Sequence, residues 1–108
     1  MPMAEITIVP VGVGAGVSDY VAEALKIVKR SGLKYRLTPT STVVEGDLDE
    51  LFRVMKEMHE SPFRKGAPRV VTIIKIDDRR DKPITMEYKV RVVEEKLREE
   101  SRGSSSTP

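Results

Sequence analysis

The chain has 108 residues, a length that suits one domain and is too short for two independent hydrophobic cores. Hydrophobic residues make up 39% and charged residues 33% of the sequence, as in ordinary globular domains, and no apolar run approaches the roughly 20 residues of a membrane span. The net charge of +2 is spread over interspersed acidic and basic residues, so charge gives no indication of nucleic-acid binding.

The first predicted elements are a strand and a helix. Residues 5–11 are predicted to form a strand, because polar and apolar residues alternate from Glu5 to Ile8, which is the pattern of a strand with two unlike faces. A glycine-rich segment follows, and Ser18 lies where the N-cap of a helix is expected. Apolar residues then recur at helical spacing up to Gly32, a residue typical of a helix C-terminus.

Two short strands and a second helix come next. The β-rich runs LKYRLT and STVVEG lie on either side of Pro39, which predicts two strands with a tight connection. Asp47 and Glu50 match a capping box ahead of an apolar-periodic segment. We expect this helix to end near Ser61, because a residue that precedes proline is disfavoured in the α region.

The last predicted elements are a strand and a helix. Residues 69–76, RVVTIIKI, are dense in β-branched residues, which predicts a central or well-covered strand. Apolar residues spaced by four and three positions from Met86 to Leu97 predict a third, amphipathic helix. Residues 100–108 have little apolar content, so we expect a disordered tail after a single domain of residues 1–99.

The order of these elements predicts an α+β fold, namely a ferredoxin-like βαββαβ sandwich with an additional C-terminal helix. Right-handed crossovers place both main helices on one face of a four-stranded antiparallel sheet. Because the last strand is apolar on both sides, the other face would expose a large apolar patch. We therefore expect a homo-oligomer that associates through this open face, with the third helix contributing.

The glycine-rich segment GVGAGVS joins a strand to a helix, where backbone N–H groups are able to bind an anion. Gly12 and Gly14 fit the start of a dinucleotide-binding G-x-G-x-x-G, but Val17 stands in place of the last glycine and no G-K-[ST] follows. A turn with glycines at positive φ is the favoured interpretation.

Several other functions found on related folds require residues that this chain lacks. His59 is the only histidine and the chain has no cysteine, so neither a zinc site nor a thiol nucleophile is expected. Acylphosphatase-type catalysis would use an asparagine, and the chain has none. RNA recognition would need aromatic residues on the central strands. We expect no cofactor, no nucleic-acid partner and no membrane partner.

Two further features concern the setting of the protein. The N-terminal segment lacks a basic region followed by a long apolar run, so we expect a cytoplasmic protein. The sequence lacks Asn and Gln and mixes charges densely, which is associated with proteins from hot environments.

Lys75 lies inside an isoleucine-rich run, where an ammonium group is expected to seek a carboxylate or to reach the rim of the sheet. Glu45 follows two valines and precedes Gly46 at the end of a predicted strand. Two explanations of this glutamate stay open: it is a structural partner of Lys75, or it binds a ligand.

Four segments, PVGVGAGVSDYVAEAL, LKYRLTPTSTVVEGDLDE, RVVTIIKIDDRRDK and TMEYKVRVVEEKL, resemble in this order the thiamine-binding-protein family of short ferredoxin-like chains. The likeness extends from Glu5 to Leu97. It implies a cytoplasmic, non-enzymatic protein that binds thiamine or its hydroxymethylpyrimidine precursor and forms dimers that pair into tetramers. The chain departs from the family pattern at Gly16, where a serine is common, and at Thr40-Ser41, where Met-Gly is common.

The resemblance implies a ligand site near the sheet and a subunit interface. An aminopyrimidine ring offers an amine donor beside a protonatable nitrogen, and the Glu45 carboxylate is able to accept from both. Tyr35 is expected to stack on the ring, Thr42 to add a hydroxyl, and Asp77 to partner Lys75 or to favour a cationic thiazolium. The expected ligand-binding residues are Gly12, Ser18, Tyr35, Thr42, Glu45, Lys75, Asp77 and Arg79.

Two other classes of function stay open. An enzyme acting on a thiamine-pathway phosphate would use the glycine-rich segment together with Arg79 or Arg80, although the sequence offers no evident nucleophile–base pair. An oligomeric regulatory or scaffolding protein would bind other proteins and no small molecule.

Overall fold

A computed structural model describes the backbone of residues 1–106 and the side chains of residues 1–101. The elements in chain order are β1 (Met3–Val11), α1 (Ser18–Ser31), β2 (Lys34–Leu37), β3 (Thr42–Glu45), α2 (Leu48–Arg64), β4 (Arg69–Asp77) and α3 (Met86–Ser106). The strands form one antiparallel sheet in the order β2-β3-β1-β4. The predicted ferredoxin-like βαββαβ sandwich with an additional C-terminal helix is confirmed.

The core lies between the sheet and the layer formed by α1 and α2. Strand alternation turns one side of β1 and β3 toward this layer, and Ile6 and Val44 are 2% and 0% exposed there. From the helices, Val28 and Leu51 are both 0% exposed. Full burial of a side chain of this kind contributes on the order of 1.5–3 kcal/mol, so these contacts fix both helices on one face of the sheet.

The ends of α1 differ in part from the prediction. Gly32 adopts a left-handed conformation at the C-cap, with φ of 78°, as expected of a helix terminator. At the other end the N-cap is Val17 and not Ser18, and no side chain caps the helix. The Val17 carbonyl accepts hydrogen bonds from the N–H groups of Tyr20 and Val21 at 3.0 and 3.1 Å, which places Ser18 inside the first turn.

α2 continues beyond its predicted end. Asp47 is the N-cap, as expected, but its side chain makes no capping hydrogen bond, so the predicted capping box does not form. The helix runs through Pro62 to Arg64 instead of ending near Ser61. Pro62 lacks the N–H that would bond to the Met58 carbonyl, and the Ser61 hydroxyl donates to that carbonyl at 2.8 Å, so the carbonyl keeps a partner.

β1 is paired unequally on its two sides. It pairs with β4 along its whole length, but with β3 only over residues 3–6. Gly46 N–H donates to the Pro2 carbonyl at 3.2 Å, and backbone groups alternate sides along an antiparallel strand. The even-numbered residues of β1 therefore direct their N–H and C=O groups toward β3. Ile8 and Pro10 also face this side, but they lie past the end of β3. Proline has no N–H group, so Pro10 leaves no unpaired donor there.

β4 is an edge strand, so the prediction of a central or well-covered strand was wrong. Its outer side has no partner strand within residues 1–106, and Val71, Ile73 and Ile74 are 39%, 60% and 41% exposed. A high density of β-branched residues indicates a strand, but does not determine which other strands lie beside it.

α3 begins on the face of the sheet opposite to α1 and α2. Tyr88 N–H donates to Thr85 Oγ1 at 3.1 Å in its first turn. Met86 is buried, whereas Val90, Val93 and Leu97 are 47%, 56% and 59% exposed. The apolar stripe predicted for this helix is therefore largely uncovered within a single chain.

The C-terminal segment differs from the prediction where it is described. Residues 100–106, which we expected to be disordered, continue α3; extending an existing helix costs far less than nucleating one. Residues 107 and 108, the end of the predicted tail, lie outside the described residues. No helix in the described part of the chain is both long and apolar enough to cross a membrane.

Candidate functional site

A cavity of about 300 Å³ lies between α1 and the part of β1 that extends past β3. This volume is at the lower end of the roughly 300–1,000 Å³ range of small-molecule sites, which suits a ligand of one ring. The walls are mainly apolar and comprise Ile6, Ile8, Pro10, Val17, Val21, Ala24, Leu25, Leu37 and Met58. The segment of residues 38–42 closes the remaining side.

The turn between β2 and β3 forms a fixed wall of this cavity. Thr38 N–H donates to the Ser41 carbonyl at 2.8 Å, and Ser41 N–H donates back to Thr38 Oγ1 at 3.0 Å. Thr7 Oγ1 donates to the Thr40 carbonyl at 3.1 Å, which ties the turn to β1. Pro39 adds a fixed φ angle, so this wall is held in place before a ligand arrives.

Thr42 places a hydroxyl group without a partner at the cavity. The residue is 4% exposed, and its side chain makes no hydrogen bond with any residue that the structure describes. No fully enclosed side-chain N or O atom in the described region lacks a partner, so the Thr42 oxygen must be open to the cavity that it lines. Because this oxygen is open to the cavity, it is available to donate to or accept from a polar ligand there.

The backbone of Ile8 supplies a second polar feature. Its N–H and C=O groups lie on the side of β1 where β3 has ended, and residue 8 lines the cavity. Within the described residues, no backbone group of the turn bonds to the Ile8 backbone: Thr38 N–H donates to the Ser41 carbonyl, and the Thr40 carbonyl accepts from the Thr7 hydroxyl. Ile8 therefore presents an adjacent donor and acceptor, the same pair that a strand offers to its neighbour.

Among the residues that the structure describes, those lining the cavity include no charged side chain and no histidine. A charged group that entered it would lose hydration without gaining an ionic partner, which is costly. The chemistry of the cavity therefore favours a neutral, flat ring with polar atoms on its edge.

Four of the eight predicted site residues lie on the helix side of the sheet or at the end of β1. Thr42 lines the cavity. Ser18 follows the lining residue Val17 and is exposed. Gly12 has a φ of +85° just after β1, and Tyr35 lies beside Val44 on the outer strand, 38% exposed. Thr42 is thus the predicted residue in direct contact with the cavity.

Glu45 lies on the opposite face of the sheet, and both of its carboxylate oxygens are engaged. Oε1 accepts from Met86 N–H at 2.6 Å, and Oε2 lies 3.1 Å from Lys34 Nζ. The predicted pairing of Glu45 with Lys75 was wrong, because the register places Lys75 beside Glu5 instead. A role for Glu45 in ligand binding stays a prediction, and it would require the ligand to bind on this open face instead of in the cavity lined by Thr42.

Lys75 and Asp77 line a second cavity, of about 410 Å³, between the open face and the start of α3. The predicted pairing of these two residues was wrong, because Asp77 forms an ion pair with Lys89. This cavity also contains Glu5 and Arg36, so charges of both signs surround it. It lacks a buried polar group without a partner comparable to the Thr42 hydroxyl.

Arg79 lies beyond the end of β4 and forms a two-pronged ion pair with Asp81, at 2.5 and 2.8 Å. The hydrogen bond from Arg79 lowers the pKa of Asp81 to about 2. Because Met3 pairs with Asp77 and Val11 with Arg69, Arg79 and the glycine-rich segment lie at opposite ends of β1. Eight strand steps separate those ends by about 26 Å, so the two do not form one site within a chain.

Sequence reasoning missed most of the cavity. The apolar residues Val21, Leu25 and Met58 follow helical spacing and were used only to predict helices, although they line the cavity. The contribution of Ile8 depends on where β3 ends, which the residue type does not indicate. One available signal was Pro10, since a proline inside a strand pattern indicates an edge that lacks a neighbouring strand.

The chain is similar to known proteins in sequence. The model of the family described as thiamine-binding protein matches residues 4–94. The chain is 46% identical over 102 residues to the UPF0045 protein YqgV of Bacillus subtilis, covering 90% of this chain and 98% of that protein. It is 43% identical over 93 residues to the UPF0045 protein MJ1052 of Methanocaldococcus jannaschii, covering 86% and 92% of the two chains.

Solved structures are similar as well. The crystal structure of MJ1052 superimposes with a TM-score of 0.79 at 42% identity, covering 87% of this chain and 96% of that chain. A Thermotoga maritima protein, TM0486, provisionally described as a thiamine biosynthesis/salvage protein, has a TM-score of 0.71 at 27% identity. That match covers 85% of this chain and 97% of the other.

Proposed function

Because the chain belongs to the thiamine-binding protein family, we propose that it is a non-enzymatic, cytoplasmic binding protein for thiamine or its hydroxymethylpyrimidine precursor. The pyrimidine ring occupies the cavity between α1 and β1. The single observation that carries this proposal is the Thr42 hydroxyl. It belongs to a residue that is 4% exposed, and it lines the cavity without a hydrogen-bond partner in the described residues.

The polar groups of the cavity suit an aminopyrimidine. The exocyclic amine of such a ring donates hydrogen bonds, and its ring nitrogens accept them. The Ile8 carbonyl is able to accept from the amine while the Ile8 N–H donates to a ring nitrogen, as in a strand pair. The Thr42 hydroxyl donates or accepts according to how the ring is turned.

The size and charge of the cavity favour the pyrimidine over the remainder of thiamine. A volume of about 300 Å³ suits one ring, and the apolar walls give no charged partner to a thiazolium or a phosphate. When thiamine binds, its charged part lies at the mouth, near the residues that join β1 to α1. Hydroxymethylpyrimidine needs no such external contact.

The cavity lining also supports binding over catalysis. In the described part of the chain it provides threonine and serine hydroxyls but no histidine, carboxylate, lysine or cysteine, and a hydroxyl nucleophile requires an adjacent base. The enzyme alternative needs the glycine-rich segment and Arg79 to act on one phosphate, and these lie at opposite ends of β1.

We propose that the protein acts as a homo-oligomer, a dimer or a dimer of dimers. The open face of the sheet supports this, because Val9 and Ile73 are 41% and 60% exposed there. Val93 and Leu97 of α3 are also more than half exposed. Exposed apolar surface of this extent is typical of an interaction surface.

Calorimetric and thermal-shift titrations with thiamine, its phosphates and hydroxymethylpyrimidine test the proposal. We expect saturable binding, with hydroxymethylpyrimidine and thiamine raising the melting temperature by mass action. Thr42→Val keeps the shape of the side chain and removes the hydroxyl, so affinity should fall roughly three- to tenfold, as for loss of one net hydrogen bond.

Glu45→Gln is the matched control, because it changes one polar side chain on the opposite face. We expect it to leave affinity unchanged. If Glu45→Gln weakens binding and Thr42→Val does not, the ligand binds on the open face and the proposed location is wrong. If none of the compounds binds, the regulatory or scaffolding alternative replaces the proposed function.

A further inference from the structure

A groove lies between α1 and α2 on the surface of the helix layer. It consists of two adjoining cavities, of about 450 and 200 Å³, which share Ile27, Arg30 and Arg64. Its floor is apolar and closely packed, because Ile27 and Val54 are 8% and 3% exposed and belong to the core. The groove thus has a rigid base, formed by the same packing that holds the two helices together.

Three arginines line the larger cavity of this groove. Arg30 comes from the last turn of α1, and Arg53 and Arg64 come from α2. All three are exposed, and none forms an ion pair with a residue that the structure describes. Arg79 and Arg80, in contrast, are each paired with an aspartate two residues away. The guanidinium groups of the groove are therefore free to bind a ligand.

Two of the cationic side chains on the rim are held in place. Arg30 Nε donates to the Lys26 carbonyl at 3.2 Å, which orients the guanidinium and leaves both of its NH₂ groups without a hydrogen bond in the described residues. Lys65 lines the smaller cavity, and its Nζ lies 5.7 Å from the centroid of the Tyr20 ring. Because these side chains are ordered in advance, less conformational freedom is lost when an anion binds.

The two carboxylates of the groove leave it positively charged. Glu23 accepts a hydrogen bond from Lys26 at 2.8 Å, which lowers its pKa below the ordinary value of 4.5, and the charges of Lys65 and Arg30 lower it further. Glu57 lines the larger cavity but forms no ion pair with a described residue. Four cationic and two anionic side chains line the groove, so its field attracts anions.

We propose that this groove is a binding site for a chain of two or three phosphates, as in pyrophosphate, tripolyphosphate or a nucleoside triphosphate. A guanidinium group presents paired N–H donors that match two oxygens of one phosphate. Arg30, Arg53 and Arg64 line one cavity of about 450 Å³, which suits a compact ligand with many anionic oxygens. Carboxylates on one side of an extended peptide are about 7 Å apart, so a cavity of this size would hold few of them.

The phosphate site goes beyond the proposed function and is separate from the cavity lined by Thr42. That cavity contacts α1 through Ala24 and Leu25, whereas the groove contacts the same helix through Ile27 and Arg30. At 3.6 residues per turn these two pairs lie on different sides of the helix. Failure of phosphate binding would therefore not affect the proposed binding of a pyrimidine.

Isothermal titration calorimetry at low ionic strength with pyrophosphate, tripolyphosphate and ATP tests the site. We expect saturable binding of one equivalent per chain, which weakens as salt is added because exposed charges are screened. Tripolyphosphate should bind more tightly than pyrophosphate, since it reaches more guanidinium groups. Equal affinities for tripolyphosphate and ATP would identify the phosphate chain alone as the ligand, and tighter binding of ATP would identify a nucleotide; both results support the site.

Substitutions separate this site from a general attraction of anions to a basic protein. We expect Arg64→Ala to lower the affinity for tripolyphosphate about tenfold, as for loss of a charge-assisted hydrogen bond. Arg64→Lys should restore only part of this affinity, because an ammonium group lacks the paired donors of a guanidinium. Arg98→Ala is the matched control, since it removes the same charge from an exposed arginine of α3, and it should leave the affinity unchanged.

Glu57→Gln provides a test that does not depend on loss of binding. It removes a negative charge from the lining of the larger cavity, so tripolyphosphate should bind roughly two- to threefold more tightly. A damaged fold does not produce such a gain, which distinguishes this result from partial unfolding of a variant.

The proposal is wrong if neither tripolyphosphate nor ATP binds at concentrations up to about 1 mM, or if Arg64→Ala and Arg98→Ala weaken binding equally. A peptide of consecutive glutamates that binds when neither phosphate compound does would also overturn it, and would make the groove a surface for acidic segments of other proteins. Binding that is weakened by Arg64→Ala, unchanged by Arg98→Ala and tightened by Glu57→Gln supports the proposal.

Discussion

Glu45 and Met86 are 41 residues apart in sequence and joined by a hydrogen bond of 2.6 Å, in which Met86 N–H donates to Glu45 Oε1. Both residues are buried. A carboxylate at a helix N-terminus is favourable, because it accepts from a free N–H group and opposes the positive end of the helix dipole. Glu45 thus fastens the start of α3 to the end of β3, which gives this residue a structural reason for its position.

Removal of this carboxylate should loosen α3. We expect Glu45→Ala to lower the free energy of unfolding by about 1–3 kcal/mol, because the buried Met86 N–H loses its partner. Urea denaturation measures this loss, and hydrogen exchange should show faster exchange in the first turn of α3. Glu50→Ala, at an exposed position on α2, serves as the control and should change stability by less than about 0.5 kcal/mol. Equal effects of the two substitutions would contradict this role for Glu45.

Docking of α3 should weaken in acid. The hydrogen bond with Lys34 lowers the pKa of Glu87 below its ordinary value of 4.5, and the same contact raises the pKa of Lys34. A lowered carboxyl pKa contributes stability above 4.5, and this contribution is lost as the pH falls through the lower, folded value.

Hydrogen exchange of α3 measured against pH tests this prediction. We expect protection of its first turns to decline below pH 4.5 in the natural chain and to vary less in Glu87→Gln. Because these groups are exposed, added salt should reduce the difference. An identical pH profile in the two proteins would exclude the contact with Lys34 as its source.

Filling the cavity should abolish ligand binding without unfolding the protein. Ala24 is 3% exposed and lines the cavity from α1, so Ala24→Leu directs three additional carbon atoms into this space. We expect at least a tenfold loss of affinity for hydroxymethylpyrimidine and a melting temperature that is unchanged or higher, since filling a cavity is commonly stabilising. Ala22→Leu, at an exposed position of the same helix, should bind normally. Normal binding by Ala24→Leu would place the ligand elsewhere.

Gly12 and Gly14 of the glycine-rich segment both have positive φ, and Gly12 is also crowded by its surroundings. Gly12 has a φ of +85°, and a Cβ atom there would lie 3.0 Å from Pro68 Cγ. Gly12→Ala should therefore lower the free energy of unfolding by about 1–2 kcal/mol. Gly16→Ala meets no atom within 4 Å and has no positive φ, so it should be neutral or stabilising by up to about 1 kcal/mol. Thermal denaturation of both variants compares them directly.

The fold was predictable because its signals are local. Alternation over β1, helical spacing in α1 and α2, and Gly32 as a terminator each act within a few residues, and their order restricts the topology. The end of α2 was harder to predict. The preference of a residue before proline for extended backbone ends a helix at Ser61, but the Ser61 hydroxyl donates to the Met58 carbonyl and replaces the hydrogen bond that Pro62 cannot make.

The candidate site was less predictable because it depends on distant pairings. The partner of Glu45 lies 41 residues away, and residues near it in sequence do not indicate that contact. Thr42 was identified through the family resemblance, but Ile8, which lines the same cavity, was not, because the site uses the backbone of residue 8. The edge position of β4 was not predictable either, since its composition is compatible with a central strand as well as with an edge strand.

Because β1 extends past β3, the polar groups of the cavity come from the backbone, and its apolar walls come from side chains. The donor and acceptor at Ile8 belong to the peptide backbone, so nearly any residue at this position would keep them. Side chains in the walls, such as Leu25, are free to vary and would change the size of ring that fits. Substitutions at this edge therefore leave the hydrogen-bonding groups in place, whereas substitutions in the walls change the shape of the cavity.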